Sequence, residues 1–198
     1  MRMERIPLDQ SFYEISALEL APALLGKLLV KETAEGLASG IIVETEAYMG
    51  AEDRAAHSFG NRRTRRTEIM FGKAGSVYTY QMHTHTLVNV VAAEIDTPQA
   101  VLIRAVEPVD GLHLMEQRRK GRKQLEWTSG PGKLTKALGI AMSDYGTHFT
   151  RRPLKICEGW PEGSFEVVSG PRIGIDNTGE ARDYPYRFWV KDNLYVSK

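Results

Sequence analysis

The chain has 198 residues, 42% hydrophobic and 26% charged, which fits one globular domain over 1–198. It excludes a disordered or fibrous chain, and no window approaches the roughly 18 uninterrupted apolar residues of a membrane helix. The net charge of +1 hides a split: the first 60 residues carry 10 acidic and 5 basic side chains and the remainder 15 and 21, which leaves a polyanionic partner open. The opening MRMERIPLDQSFYEI lacks the apolar core of a secretory signal, and Cys157 is the single cysteine. A cytoplasmic protein without disulfides is therefore expected, with Cys157 as a small buried hydrophobe.

Ser16 stands before ALELAPALL, where leucines recur at helical spacing and Gly26 offers a stop, so a helix is predicted near residues 17–25 despite Pro22. Lys27–Glu32 and Gly40–Tyr48 read as strands flanking a turn at Ala34-Glu35-Gly36; Ser76–Tyr80 and Ala100–Val106 are also rich in strand formers. Helical spacing returns at Val109–Arg119 and at Leu134–Leu138, the second introduced by Ser129-Gly130-Pro131-Gly132 and closed by Gly139. From Leu154 onward, short apolar runs such as Arg172–Ile175 and Arg187–Val190 alternate with turn residues and predict antiparallel strands. Strands and helices do not alternate regularly and no repeat is visible, which favours an α+β domain over a doubly wound sheet.

In GIIVETEAYMGAEDRAAHS, residues 40–58, strand alternation places Ile42, Glu44, Glu46 and Tyr48 on one face. Two carboxylates there suit acid–base chemistry if an apolar wall or a neighbouring charge raises the pKa of one; the alternative is an edge strand with a solvated face. His57 follows as a candidate cleft residue or a structural histidine. Next come Arg62, Arg63, Arg65, Arg66 and Lys73, then Tyr78 and Tyr80 on one strand face. Such a segment suits a surface that attracts phosphates and stacks a base, or else a solvated loop before a core strand.

His83 and His85 in QMHTHTLVN would chelate a metal only with a third ligand that no motif marks. Arg104, in VLIRAVEP, shares a face with Leu102 and calls for a partner or an anion if its strand is central. SGPGK at 129–133 offers small residues and a lysine before a helix, an anion cradle or a plain capped turn, without P-loop spacing. A second basic run spans Arg118–Lys123.

Taken in order, LLGKLLV, VETEAYMGAEDRAAHS, MFGKAGSVYTY, VLIRAVEP and SGPGKLTKALGI resemble the methylpurine (3-methyladenine, alkyladenine) DNA glycosylases over roughly residues 17–190. The resemblance implies a single domain with a curved, mainly antiparallel sheet surrounded by helices, similar to a formyltransferase C-terminal domain. It also implies monomeric, nucleoid-associated base-excision repair on duplex DNA containing damaged purines, without metal or cofactor.

By the same resemblance Glu46 is the general base, Arg104 holds the water and a phosphate, and Tyr48 and Tyr80 sandwich the extruded base. Tyr78 supports them; His57, Ala55, Leu102 and Asn89 line the pocket, with Asn89 excluding the guanine amino group. Arg62, Arg63, Arg65, Arg66, Lys73, Ser129, Gly130, Lys133 and Lys136 are phosphate contacts. Between Tyr80 and Asn89 the chain is one residue shorter than better-known members, with Met82-His83-Thr84-His85 where they carry an intercalating tyrosine, so Met82 or His83 is the wedge candidate. Two further readings stay open: a non-catalytic binder of damaged or distorted nucleic acid, and a metal-dependent hydrolase using His83, His85 and Glu46.

Overall fold

The computed structural model describes residues 5–197; Met1–Glu4, part of the segment read for a targeting signal, and Lys198 lie outside the described residues. Helix α1 (Ala17–Ala23) begins at a capping box in which Ser16 Oγ accepts from the Glu19 N–H and the Glu19 carboxylate accepts from the Ser16 N–H. It is shorter than its sequence pattern implies: after the Leu24 N–H bonds the Leu20 carbonyl the ladder tightens, Leu25 bonding Pro22, and Gly26 at φ +81° turns the chain away. Strands β1 (Leu28–Thr33) and β2 (Gly36–Tyr48) form the first hairpin, β3 (Val77–Met82) and β4 (His85–Ala92) the second, and β5 (Gln99–Asp110) follows. Helices α2 (Leu112–Arg118) and α3 (Pro131–Leu138) come next, then β6 (Thr150–Arg151), β7 (Leu154–Cys157), β8 (Val167–Gly170) and β9 (Arg187–Val190).

All nine strands join one strongly curled antiparallel sheet in the order β3-β4-β5-β2-β1-β7-β6, with β9 joining β2 and β8 joining β9. The thirteen residues of β2 make it the spine. One edge runs along β5; the other is shared by β1, opposite Gly36–Ile41, and β9, opposite Glu44–Glu46. Both edges of the Glu44–Glu46 segment are thus hydrogen-bonded. The main core packs α1 and α3 against the sheet through Leu20, Leu24, Ile42, Ile103, Leu134 and Leu138, all fully buried. A smaller cluster of Met70, Tyr78, Val91 and Ala100 lies at the β3–β4 end. Among the described residues no helix is long and apolar enough to cross a membrane.

Two expectations need correcting. The segment Val109–Arg119 is not one helix: β5 runs on to Asp110, paired with Ser39, and Gly111 at φ +69° turns the chain into α2. A Cβ at Gly111 would stand 2.4 Å from the Leu37 carbonyl oxygen, so the turn requires glycine. Arg172–Ile175 is not a strand; it is irregular, with Gly174 at φ +76° and the Arg172 side chain drawn inward by an ion pair. In the histidine-containing segment 81–89, residues from His85 onward belong to β4, which pairs with both β3 and β5.

Candidate active site

Glu44 and Glu46 are both 0% exposed, which overturns the solvated-edge alternative for their strand. Local irregularity in the sheet explains where the neighbouring arginine goes. The β2–β5 pairing slips at Val43 and slips back at Arg104, which is left without a register partner. Such bulges re-aim side chains. Arg104 reaches Glu44 Oε1 through Nε at 3.0 Å and Glu46 Oε1 through its NH1 nitrogen at 3.4 Å. Burial works against the Arg104 charge, but Glu46 and Glu44 together overcome it and hold the guanidinium above its ordinary pKa.

Two further donors converge on Glu46. The Ile173 N–H donates to Oε1 at 2.7 Å and the Tyr48 hydroxyl to Oε2 at 2.8 Å. Burial nonetheless dominates, so the Glu46 carboxyl titrates above the usual carboxylate range despite Arg104 and these hydrogen bonds. A raised pKa on a hydrogen-bonded carboxylate is what a base working near neutral pH needs.

Directly over this cluster lies a cavity of about 440 Å³. Of the residues expected at the site, Tyr48, Ala55, His57, Tyr78, Tyr80, Asn89, Leu102, Arg104 and Met82 all line it. Glu46 does not: it sits just behind the wall, and its three partners Tyr48, Arg104 and Ile173 form the wall in front of it. The aromatic side is tightly arranged. Tyr78 and Tyr80 have ring centroids 5.6 Å apart, His57 stands edge-on to Tyr80 at 4.6 Å, and His57 Nδ1 is 2.8 Å from the Tyr78 hydroxyl. Burial, helped by Arg66, pushes the His57 pKa down to about 4, leaving a neutral imidazole at pH 7. Burial pushes the Tyr80 hydroxyl up to about 12. Asn89 is pinned by an N–H donated to the Tyr78 carbonyl at 3.1 Å.

Met82 and His83 occupy the tip of the β3–β4 hairpin, where His83 has φ +52°. Met82 is 45% exposed and on the cavity rim, whereas His83 does not line the cavity. His85 packs beneath Gly132 at the start of α3, where a Cβ would come within 2.7 Å of it, so the glycine-rich turn buttresses the hairpin. No group of three His, Cys, Asp or Glu side chains is placed to share a metal ion among the described residues.

The expected phosphate contacts divide. Arg62, Arg65, Arg66, Lys73, Lys133 and Lys136 are exposed, whereas Ser129 is half-buried and Gly130 buried. Arg63, also exposed, is committed to Glu68 through a two-pronged contact at 3.0 and 2.7 Å and to Asp96 at 3.3 Å. Arg66 turns back over the Tyr80 ring at 5.9 Å and lines the cavity, a placement its sequence position did not reveal. Arg118, in the second basic run, is held by Glu35 at 2.5 Å and by Thr33. Cys157 is buried as expected.

Sequence reasoning missed one wall altogether. Residues 173–178 line the cavity together with the tyrosines of β3, and the signal available was the Gly-Pro-Arg-Ile-Gly-Ile string, whose turn residues argue for a loop. Ser197 was also unforeseen: its N–H and hydroxyl donate to Glu44 at 2.7 and 2.8 Å, and Arg187 from β9 adds a third contact at 2.7 Å.

Comparison with known proteins fits this geometry. A Bacillus subtilis (strain 168) protein named for 3-methyladenine DNA glycosylase is 69% identical over the whole of both chains. Proteins of the same name from Oceanobacillus iheyensis and Listeria monocytogenes (serotype 4a) are 57% and 46% identical, covering 97% and 98% of this chain and 96% and 94% of their own. The family model for methylpurine-DNA glycosylase matches residues 11–194. With the five ordered motifs, the buried carboxylate cluster and this match, the chain belongs to the methylpurine-DNA glycosylase family.

Proposed function

We propose that this protein is a monofunctional DNA glycosylase of base excision repair. It extrudes a damaged purine from duplex DNA into the cavity and hydrolyses the N-glycosidic bond, leaving an abasic site without cutting the strand. 3-Methyladenine is the lesion in its relatives' names; 7-methylguanine, hypoxanthine and ethenoadenine are proposed as further members of the class. The observation that carries the reading is Glu46, a fully buried carboxylate of raised pKa whose partners form the wall of an aromatic cavity.

Extrusion costs a few kcal/mol, least for weakly paired bases. Stacking between Tyr48 and Tyr80 returns about 1–3 kcal/mol per base, and more for a cationic alkylated purine. In the free protein Tyr48 holds Glu46 Oε2. The entering nucleotide parts them and frees that oxygen for a water. The water oxygen attacks C1′ on the face opposite the base, its proton passes to Glu46, and the C1′–N bond electrons leave with the base. An N3- or N7-methylated purine departs neutral and needs no acid; hypoxanthine departs as an anion unless protonated. Arg104 steadies the carboxylate and water, and neutral His57 and Asn89 shape the pocket.

Exposed Arg62, Arg65, Lys73, Lys133 and Lys136 contact backbone phosphates. Met82, at the rim, fills the gap left in the stack. The working species is a cytoplasmic, nucleoid-associated monomer.

The test is single-turnover release from duplexes carrying one hypoxanthine or one 7-methylguanine, for wild type and Glu46→Gln, with and without chelator. Chelator-resistant release lost in Glu46→Gln supports the reading. Binding without release from either duplex, or of 3-methyladenine from methylated duplex DNA, replaces it with a non-catalytic binder, and chelator-sensitive release with a metal-dependent hydrolase.

A further inference from the structure

Behind the cavity wall formed by Tyr48 and Ile173 lies a buried ion pair. Arg172 and Asp53 have side chains 0% and 1% exposed, and their two pairs of atoms meet at 2.5 and 2.8 Å in a bidentate fork. Asp53 also accepts the N–H groups of Met49 and Ala55 at 3.0 Å each, which fixes the loop leading from Tyr48 to His57. Arg172 donates in addition to the carbonyls of Ala47 at 2.8 Å and Ala181 at 3.2 Å. Its guanidinium lies 4.7 Å from the Tyr48 ring centroid and 5.2 Å from that of Tyr186.

One planar group therefore ties together β2 beside Tyr48, the 49–55 loop and the 171–181 segment. The next residue, Ile173, is the one whose N–H holds Glu46 Oε1. Arg172 Nε is buried with no hydrogen-bond partner, a cost the fold tolerates at this position. A lysine could supply the charge but not the fork, the carbonyl contacts and the stack together.

We infer that Arg172, locked by Asp53, is a positioning residue for catalysis: it holds the Ile173 N–H on Glu46 and the Tyr48 ring against the base, without touching substrate itself. This rests on the general-base reading of Glu46. The groups facing Glu46 are Tyr48 and Glu44 from β2, Arg104 from β5, Tyr80 from β3, Arg187 from β9, and Arg172 with the Ile173 N–H from the irregular segment. Of these, the Ile173 N–H is the one that loosening Arg172 withdraws. Glu46 then loses a donor to its ionised form and needs higher pH to act as base.

The experiment is single-turnover excision of 3-methyladenine from methylated duplex DNA between pH 5.5 and 9, corrected for spontaneous release. It compares wild type, Arg172→Lys, Asp53→Glu, which keeps the charge and misplaces the fork from the other side, and Glu46→Gln. Thermal melting and affinity for an abasic-analogue duplex are measured in parallel. In whichever of the first two variants folds, the acid limb of the rate profile should move up by about one pH unit. The rate at pH 7 should fall about 10- to 100-fold and recover in part at high pH, with product affinity within about 3-fold of wild type. A uniform loss at all pH values, or an unmoved acid limb while Glu46→Gln is inactive, overturns the inference and leaves the general base standing. Wild-type rates in Glu46→Gln remove the general base, and the inference with it.

Discussion

Glu44 and Glu46 stand two residues apart on β2, equally buried, and the structure treats them in opposite ways. Around Glu44 four donors close in: Arg104 from β5, Arg187 from β9 and the Ser197 hydroxyl all reach Oε1, and the Ser197 N–H reaches Oε2. Around Glu46 the cavity opens. It accepts one hydroxyl and one amide, shares Arg104 at a longer distance, and has its pKa raised by burial. A carboxylate clamped by two guanidiniums and a serine anchors structure; one held more loosely behind the cavity wall, with an enhanced proton affinity, is equipped to act as a base. Residue type and spacing are the same in both cases, so the neighbours supplied by β9, the C-terminus and the 171–178 segment make the distinction.

The sharpest way to break the comparison is to neutralise each carboxylate in turn. Glu46→Gln should lower single-turnover base release by about 10²–10⁴-fold while leaving duplex binding and melting temperature close to wild type. Glu44→Gln should do the reverse: two guanidiniums lose part of their partner, and chemical denaturation should register a loss of about 3–5 kcal/mol, with residual activity tracking the folded fraction. Equal activity losses at matched stability would show that the two carboxylates act as one catalytic unit.

A smaller effect belongs to the aromatic wall. Tyr80→Ala should weaken binding of an extruded-base complex by about 1–3 kcal/mol, read by titration with a lesion-containing duplex, and a loss below the low end would remove the stacking role. For the outlying arginines, Arg62→Ala should flatten the log–log salt dependence of duplex affinity by about 0.9, whereas Arg63→Ala, engaged with Glu68 and Asp96, should change it less.

The pH dependence of stability sharpens the contrast further. The folded-state pKa of Glu46 is raised above its unfolded value of about 4.3. Its stabilising contribution is therefore fully present below that value and lost as pH rises through the folded pKa. The melting temperature of Glu46→Gln relative to wild type should accordingly increase from acid to pH 8. His57 has the opposite sign: with a folded pKa near 4 against about 6.5 unfolded, its contribution is present above pH 6.5 and lost as pH falls toward 4. A His57→Gln variant should lose less stability than wild type over that interval.

Most of the site was legible because its residues lie on strands, where a period of two places Tyr78 with Tyr80, and Leu102 with Arg104, on a common face. The ordered motifs did the rest, since they named the family before any contact was known. What could not be read was whether the Glu44–Glu46 segment was an edge or a spine, because that depends on β9 arriving from more than 140 residues away. Arg172 illustrates the same limit. Its apolar neighbours imitate a short strand, and only the buried Asp53 turns it into a clamp.

The amino-acid sequence alone determined the α+β character, the positions of the first hairpin and α3, the start of β5, and the family with its aromatic and acidic residues, because these follow from local propensity, periodicity and motif order. Tertiary structure alone decided which glutamate became an anchor clamped by two arginines and which was held behind the cavity wall with a raised pKa, and which arginines line the cavity. It also formed one wall of the cavity from an irregular segment. Those outcomes depend on desolvation and on donors brought together across the sheet, and neither is a property of neighbouring residues in the chain.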